Sequence, residues 1–139
     1  MKTLTRGEVS SGDEMPPLEI PITTTLVVGG AIASRDYQDV HHDRDLARQR
    51  GAKDIFMNIL TTNGLVGRFV TDWAGPEALL KAVSIRLGAP NYPGDTMRLT
   101  GKVTKIDGGD IELQIRGTNS GGEHVSGTVR LTLPAGGTV

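Results

Sequence analysis

Between positions 34 and 43 the chain reads Ser34-Arg35-Asp36-Tyr37-Gln38-Asp39-Val40-His41-His42-Asp43, with three carboxylates and two imidazoles. A carboxylate and an imidazole on one curved loop can both reach a single water molecule. The carboxylate then accepts a proton while the imidazole orients the water or donates. On the residues alone, which of the three acids and which of the two imidazoles would do that work stays open. A plainer reading also fits, with Asp36 as a helix cap and both histidines solvated. Metal binding is not expected. The side chains of adjacent His41, His42 and Asp43 diverge, no HExxH stretch is present, and His124 lies alone in a predicted hairpin. Asn63-Gly64 is a second place where chemistry is possible. Gly permits close approach to the backbone, and a helix opening there would present free N–H groups to an oxygen that gains negative charge. An ordinary helix start accounts for the pair as well.

Catalytic groups on a loop need rigid elements on either side. Before the loop, residues 18–28 read as a strand, with Ile20, Ile22, Leu26 and Val28 on its even positions. After it, a short helix is predicted over 43–50, with Asp43 near its start and Gly51 past its end. Leu65, Val66, Phe69, Val70 and Trp73 share one face of a longer helix, which Thr61, Thr62 or Asn63 would cap and Gly75-Pro76 would stop. Trp73 belongs to that apolar face, and Arg68 with Asp72 forms an i, i+4 surface pair. Four alternating segments follow, centred on Val83–Ile85–Leu87, Met97–Leu99–Val103, Ile111–Leu113–Ile115 and Val125–Val129–Leu131. Period-two alternation predicts an antiparallel sheet with one buried face. Asp107-Gly108-Gly109-Asp110 and Asn119-Ser120-Gly121-Gly122 read as hairpin turns, and Ile106 breaks the phase of its strand, which predicts a bulge or a strand end there. Pro90-Asn91-Tyr92-Pro93-Gly94-Asp95 reads as a rigid turn. One helix followed by a sheet with one apolar face has a simple packing solution: the sheet wraps the helix, giving an α+β hotdog fold, though composition alone also allows other α+β folds.

The 139 residues fit one domain, predicted to be 16–139, behind a polar, flexible N-terminal tail over 1–15. Aromatic residues make up only 4%, so aliphatic side chains must fill the core. The formal net charge of −1, without a basic run, speaks against nucleic acid. There is no Cys, which excludes disulfides and thiolate metal ligands and suits a reducing cytoplasm. No stretch has signal-peptide or membrane-spanning length, so a soluble cytoplasmic protein is expected.

Asp36 followed five positions later by His41, and six further on by Ala47, resembles the signature of the MaoC-like, R-specific enoyl-CoA hydratases. The resemblance covers roughly residues 18–133 and extends to Asn63-Gly64, near the family's helix-opening Gly, and to the Pro-x-x-x-Gly-Asp pattern from Pro90 to Asp95. Two features depart from the family pattern. Its Asp-x-Asn-Pro becomes Asp36-Tyr37-Gln38-Asp39, and its His before the helix Gly becomes Asn63. A narrower resemblance is carried by three stretches: 35–45, Lys53-Asp54-Ile55-Phe56-Met57-Asn58-Ile59-Leu60, and Val70-Thr71-Asp72-Trp73-Ala74-Gly75-Pro76. They look like the small MaoC-type subunit of the steroid side-chain hydratases of bacterial cholesterol degradation. That resemblance implies hydration of a steroid enoyl-CoA by Asp36 and His41, with the Gly64 N–H on the thioester carbonyl and with Gln38 and Asn63 in support. It implies no cofactor, since CoA belongs to the substrate. It also implies a second MaoC-like subunit, often fused to a zinc-ribbon/OB acyl-CoA-binding domain, and association with a thiolase-like aldolase. Two other readings stay open: an acyl-carrier-protein dehydratase of fatty acid elongation, and a non-catalytic hotdog partner.

Overall fold

The computed structural model describes residues 1–136; the last three positions of the expected 16–139 domain lie outside the described residues. Its elements run β1 (Glu14–Pro21), α1 (Thr24–Ala33), α2 (Arg44–Gln49), α3 (Ile59–Ala74), β2 (Leu79–Leu87), β3 (Thr96–Asp107), β4 (Asp110–Asn119) and β5 (Gly122–Thr132). Single turns of 3-10 helix lie at Arg6–Glu8 and Asp39–His41. The five strands form one antiparallel sheet in the order β1-β3-β4-β5-β2. The sheet curls around α3, which is the hotdog arrangement. No described helix is long and apolar enough to cross a membrane.

The alternation read in the sequence is the alternation of burial. Met97, Leu99 and Val103 of β3, Ile111, Leu113 and Ile115 of β4, and Val125, Val129 and Leu131 of β5 are all buried. They join Val66, Phe69, Val70 and Ala74 of α3 in one core, and Trp73 is half-buried against it. Burying an aliphatic side chain of this size contributes about 1.5–3 kcal/mol, so the helix and the inner sheet face hold each other. Gly101 sits on that inner face. A Cβ there would lie 2.5 Å from Sδ of Met15 and 3.4 Å from Cε1 of Phe69, so only glycine leaves room for them. Both predicted hairpins are present, with Asp107 opposite Asp110 and Asn119 opposite Gly122, and the bulge falls between Val103 and Lys105. The Arg68–Asp72 pair forms at 3.4 Å on the exposed surface.

Three expectations need correcting. The strand expected over 18–28 ends at Pro21, and Leu26 and Val28 belong to α1. The hydroxyl of Thr23 accepts the Leu26 N–H at 3.0 Å and starts this helix. α1 then buries Val27 and Ala31, one turn apart. It also approaches α3 closely at Gly30, where a Cβ would lie 2.2 Å from Oγ1 of Thr61. The central helix begins at Ile59 with Asn58 as its cap, not at 61–63. Finally, the segment expected as a loose tail over 1–15 is tied down. Leu4 N–H donates to Ala74 O at 2.8 Å, Arg6 N–H to Pro134 O at 3.0 Å, Val9 and Met15 are buried, and β1 already starts at Glu14.

Candidate active site

Asp36 owes its place to the way α1 ends. The N–H of Arg35 donates to Ile32 O at 3.0 Å and that of Asp36 to Ala31 O at 2.9 Å. This is a Schellman ending, which puts one residue in the left-handed region. Here that residue is Arg35, with φ 56°, where glycine is usual. An L side chain in that conformation costs roughly 1–2 kcal/mol, so the surrounding contacts must hold it. They include His42, whose Nε2–H donates to Asp36 O at 2.7 Å while its ring stacks on Tyr37. His42 therefore braces the backbone of the loop.

His41 faces the other way. It closes the 3-10 turn at Asp39–His41 and is buried. Its Nδ1 lies 2.6 Å from Phe56 O, an acceptor, so Nδ1 carries the proton of the neutral ring. The Phe56 N–H returns to Val40 O at 3.1 Å, and the two rings meet edge to face at 5.1 Å. Nε2 is thereby aimed at Oδ2 of Asp36, 3.3 Å away. The spacing of five residues does bring this acid and this imidazole together.

The Asp36 carboxyl group is held below its ordinary pKa. The amide of Asn58 is the first cause, donating to Oδ2 at 3.1 Å. Burial opposes it. The Gln38 backbone N–H, 3.3 Å from Oδ1, and the two imidazoles also favour the anion. Asp36 is therefore ionised at neutral pH, as a general base must be.

A cleft of about 330 Å³ lies in front of the pair, lined among others by Asp36, Gln38, His41, Asn58, Ile59 and His124. A larger groove of about 560 Å³ adjoins it at Pro90, lined by Lys53, Tyr92 and Asp95, and holds no acid–imidazole pair. Gln38 thus reaches the site, with its side chain exposed at the rim. Asn63 and Gly64 do not. Both lie in the second turn of α3, Gly64 is exposed, and neither lines the cleft. At that depth in a helix the Gly64 N–H is directed to the carbonyl one turn back. The N–H groups without an intrahelical acceptor belong to the first turn, where Ile59 does line the cleft.

Two site residues escaped the sequence reading. Asn58 is one, and counting back from Val66 through Thr62 by four residues at a time leads to it. His124 is the other. It is 1% exposed, although the alternation of β5 puts Val125 inward. The register shift between Gly117 and Thr118 turns both neighbours into the core. Nδ1 of His124 donates to Ala89 O at 2.7 Å, and Nε2 accepts from Oγ1 of Thr62 at 2.8 Å. Burial pushes its pKa down, so it is neutral. The turn after β2, read only as a rigid connection, also contributes, since Pro90 lines the cleft and Asn91 is fully buried behind it.

Comparison with known proteins accords with this geometry. Residues 10–124 match the family model described as a MaoC like domain. The chain is 50% identical over 122 residues to the 3-oxo-4,17-pregnadiene-20-carboxyl-CoA hydratase beta subunit of Mycobacterium tuberculosis, covering 88% of this chain and 95% of that protein. Among solved structures, a chain of the ChsH1-ChsH2 complex from Mycobacterium tuberculosis superposes with a TM-score of 0.88 at 49% identity, over 89% of this chain and 98% of that one. The R-hydratase PhaJ1 from Pseudomonas aeruginosa gives the same TM-score at 18% identity, over 96% of this chain and 88% of its own, and shares the fold. Matched by the family model over most of its length and half-identical to a member's sequence, the chain belongs to the MaoC-like family.

Proposed function

We propose that this chain is the catalytic subunit of a heteromeric enoyl-CoA hydratase, a hydro-lyase that adds water across the α,β double bond of a steroid side-chain CoA thioester. The observation that carries the reading is the pair formed by the ionised Asp36 and Nε2 of His41, 3.3 Å apart at the cleft, in a chain 50% identical to a subunit named as a pregnadiene-carboxyl-CoA hydratase.

The chemistry follows from the donors and acceptors present. In the neutral His41 ring, whose Nδ1–H is committed to Phe56 O, Nε2 offers a lone pair. A water molecule between Nε2 and the Asp36 carboxylate can donate one hydrogen to each. Asp36 takes a proton as the water oxygen bonds to the β-carbon. The π pair moves through the α-carbon to the thioester oxygen, giving an enolate. A proton from the Asp36–His41 pair then goes to the α-carbon, and one water has been added. The enolate oxygen is held by the open first turn of α3, with the Ile59 N–H taking the role expected of Gly64. Losing one such donor typically costs about 10²–10³ in rate. The reaction calls for no resident cofactor.

A second MaoC-like subunit completes the site in this reading. A cleft of about 330 Å³ is at the lower end for a drug-sized ligand, and a steroid thioester is larger. Ile59 and Leu60, at its mouth and beside it, are 50% and 54% exposed, and Leu79 and Leu80 on the edge strand β2 are 56% and 39% exposed. Apolar side chains at a sheet edge and a cleft mouth suit burial by another chain. The proposed partner carries a fused zinc-ribbon/OB acyl-CoA-binding domain, and the complex associates with a thiolase-like aldolase.

The test is purification from the native source, identification of what travels with the chain, and hydration assays with and without that subunit. The complex is expected to hydrate a steroid enoyl-CoA far better than the chain alone or than a carrier-protein thioester. Equal activity of the isolated chain, or a preference for carrier-protein thioesters, would overturn the proposal.

A further inference from the structure

Asn58 is 3% exposed, and its side chain has no spare hydrogen-bonding capacity. Its Oδ1 accepts the Thr61 N–H at 2.9 Å and the Thr61 hydroxyl at 2.6 Å. Its Nδ2 donates to Oγ of Ser34 at 2.9 Å and to Oδ2 of Asp36 at 3.1 Å. Ser34 passes its own hydrogen to Gly30 O at 2.7 Å, which leaves its lone pairs for Asn58. The amide orientation is therefore determined. Flipped, it would set its NH2 against the Thr61 N–H and its oxygen against the Asp36 carboxylate. One side chain thus caps the central helix, ties it to the end of α1, and grips the carboxylate that faces His41.

We propose that Asn58 is a positioning residue for Asp36: it locks the carboxylate in the rotamer that meets His41 and favours its anionic form, on top of its part in starting α3. The inference builds on the hydratase reading, with Asp36 as the base. An amide hydrogen bond to a carboxylate is charge-assisted. A neutral, protonated Asp36 would lose most of that bond, and an Asp36 turned away would lose all of it. The other titratable groups around the carboxylate are His41 and His42 on its own loop and His124 lining the same cleft.

Asn58→Ser separates the two roles. Serine caps a helix as well as asparagine does, but it is too short to reach Asp36. The full chain carrying this substitution is expected to melt within a few degrees of the parent, while carboxyl NMR shows Asp36 titrating at higher pH. In the complex, the part of the acid limb of the pH–rate profile that Asp36 protonation sets should move up with it. kcat should fall on the order of tenfold to a hundredfold, the effect of a misplaced catalytic group, with KM little changed. If Asn58→Ser fails to fold, Asn58→Asp keeps the cap, removes the donor and adds a like charge, so Asp36 should titrate still higher. An Asp36 titration that superimposes on the parent's in the folded variant would overturn the inference. The titration needs no turnover, so a complex that fails to hydrate enoyl-CoA would count against the hydratase reading alone.

Discussion

Asp36→Asn replaces one carboxylate oxygen by an amide nitrogen and leaves the volume unchanged. Its consequences for stability and for rate can be worked separately. The Asn58 amide needs an acceptor at the Oδ2 position, 3.1 Å away, so the new carbonyl oxygen must go there. The new NH2 then faces the Gln38 N–H at the longer 3.3 Å contact. One weak hydrogen bond becomes two opposed donors at a position whose side chain is 23% exposed. The cost should be about 1 kcal/mol, or roughly 2–5 °C in Tm. The rate has no such cushion, because a neutral amide cannot take the proton from water. General base catalysis is worth about 10²–10⁴-fold, equivalent to about 2.7–5.4 kcal/mol of barrier. The assay follows the loss of ultraviolet absorbance of the conjugated thioester in the assembled complex, with circular dichroism as a check on folding. In the parent, protonation of Asp36 should cost rate only well below neutral pH, because its pKa lies under the ordinary carboxylate value. A folded Asp36→Asn variant within about tenfold of the parent at neutral pH would refute Asp36 as the base.

His41→Ala should also lose about 10²–10⁴-fold in kcat, whereas His42→Ala, which removes only the brace on Asp36 O, should lose less than about tenfold; equal losses would identify the wrong imidazole. Gly64→Ala meets nothing within 4 Å of the new Cβ, so thermal melts should show the chain stabilised by about 0.5–1 kcal/mol with turnover unchanged. A hundredfold loss would restore Gly64 as the carbonyl contact. Burial depresses the pKa of His124 from its ordinary 6.5, so the unfolded chain binds this proton more readily. The stability it contributes is complete above 6.5 and is lost as pH falls from there toward the folded value. Tm should therefore drop more steeply below pH 6.5 in the parent than in His124→Gln, and parallel curves would contradict a neutral buried ring.

What was legible in the sequence was local. The inward faces of β3, β4 and β5 follow from period two, and their hairpins from glycine pairs at the tips. α2 follows from Asp43 at one end and Gly51, with φ 93°, at the other. The Asp36–His41 spacing is likewise visible in one loop, because a helix ending and a single 3-10 turn set it within a few residues.

Other features were decided by parts of the chain far apart in sequence. Residues 22–28 carry β-branched side chains that suit a strand, yet burial of Val27 and Ala31 and the contact of Gly30 with Thr61 make most of them helical. Asn58, Thr61, Thr62 and Asn63 are all capable caps. Asn58 is the one that also meets Ser34 and Asp36, more than twenty residues earlier, and this sets the helix start and takes Gly64 out of the site. The first fifteen residues look polar and loose, but their backbone donors find Ala74 and Pro134. His124 looks like a surface residue of a hairpin until a register shift in its partner strand turns it inward. Periodicity and turn chemistry report what a segment can bury or cap by itself. Which partner satisfies a given polar group depends on tertiary packing, and in this protein the groups holding Asp36 are of that kind.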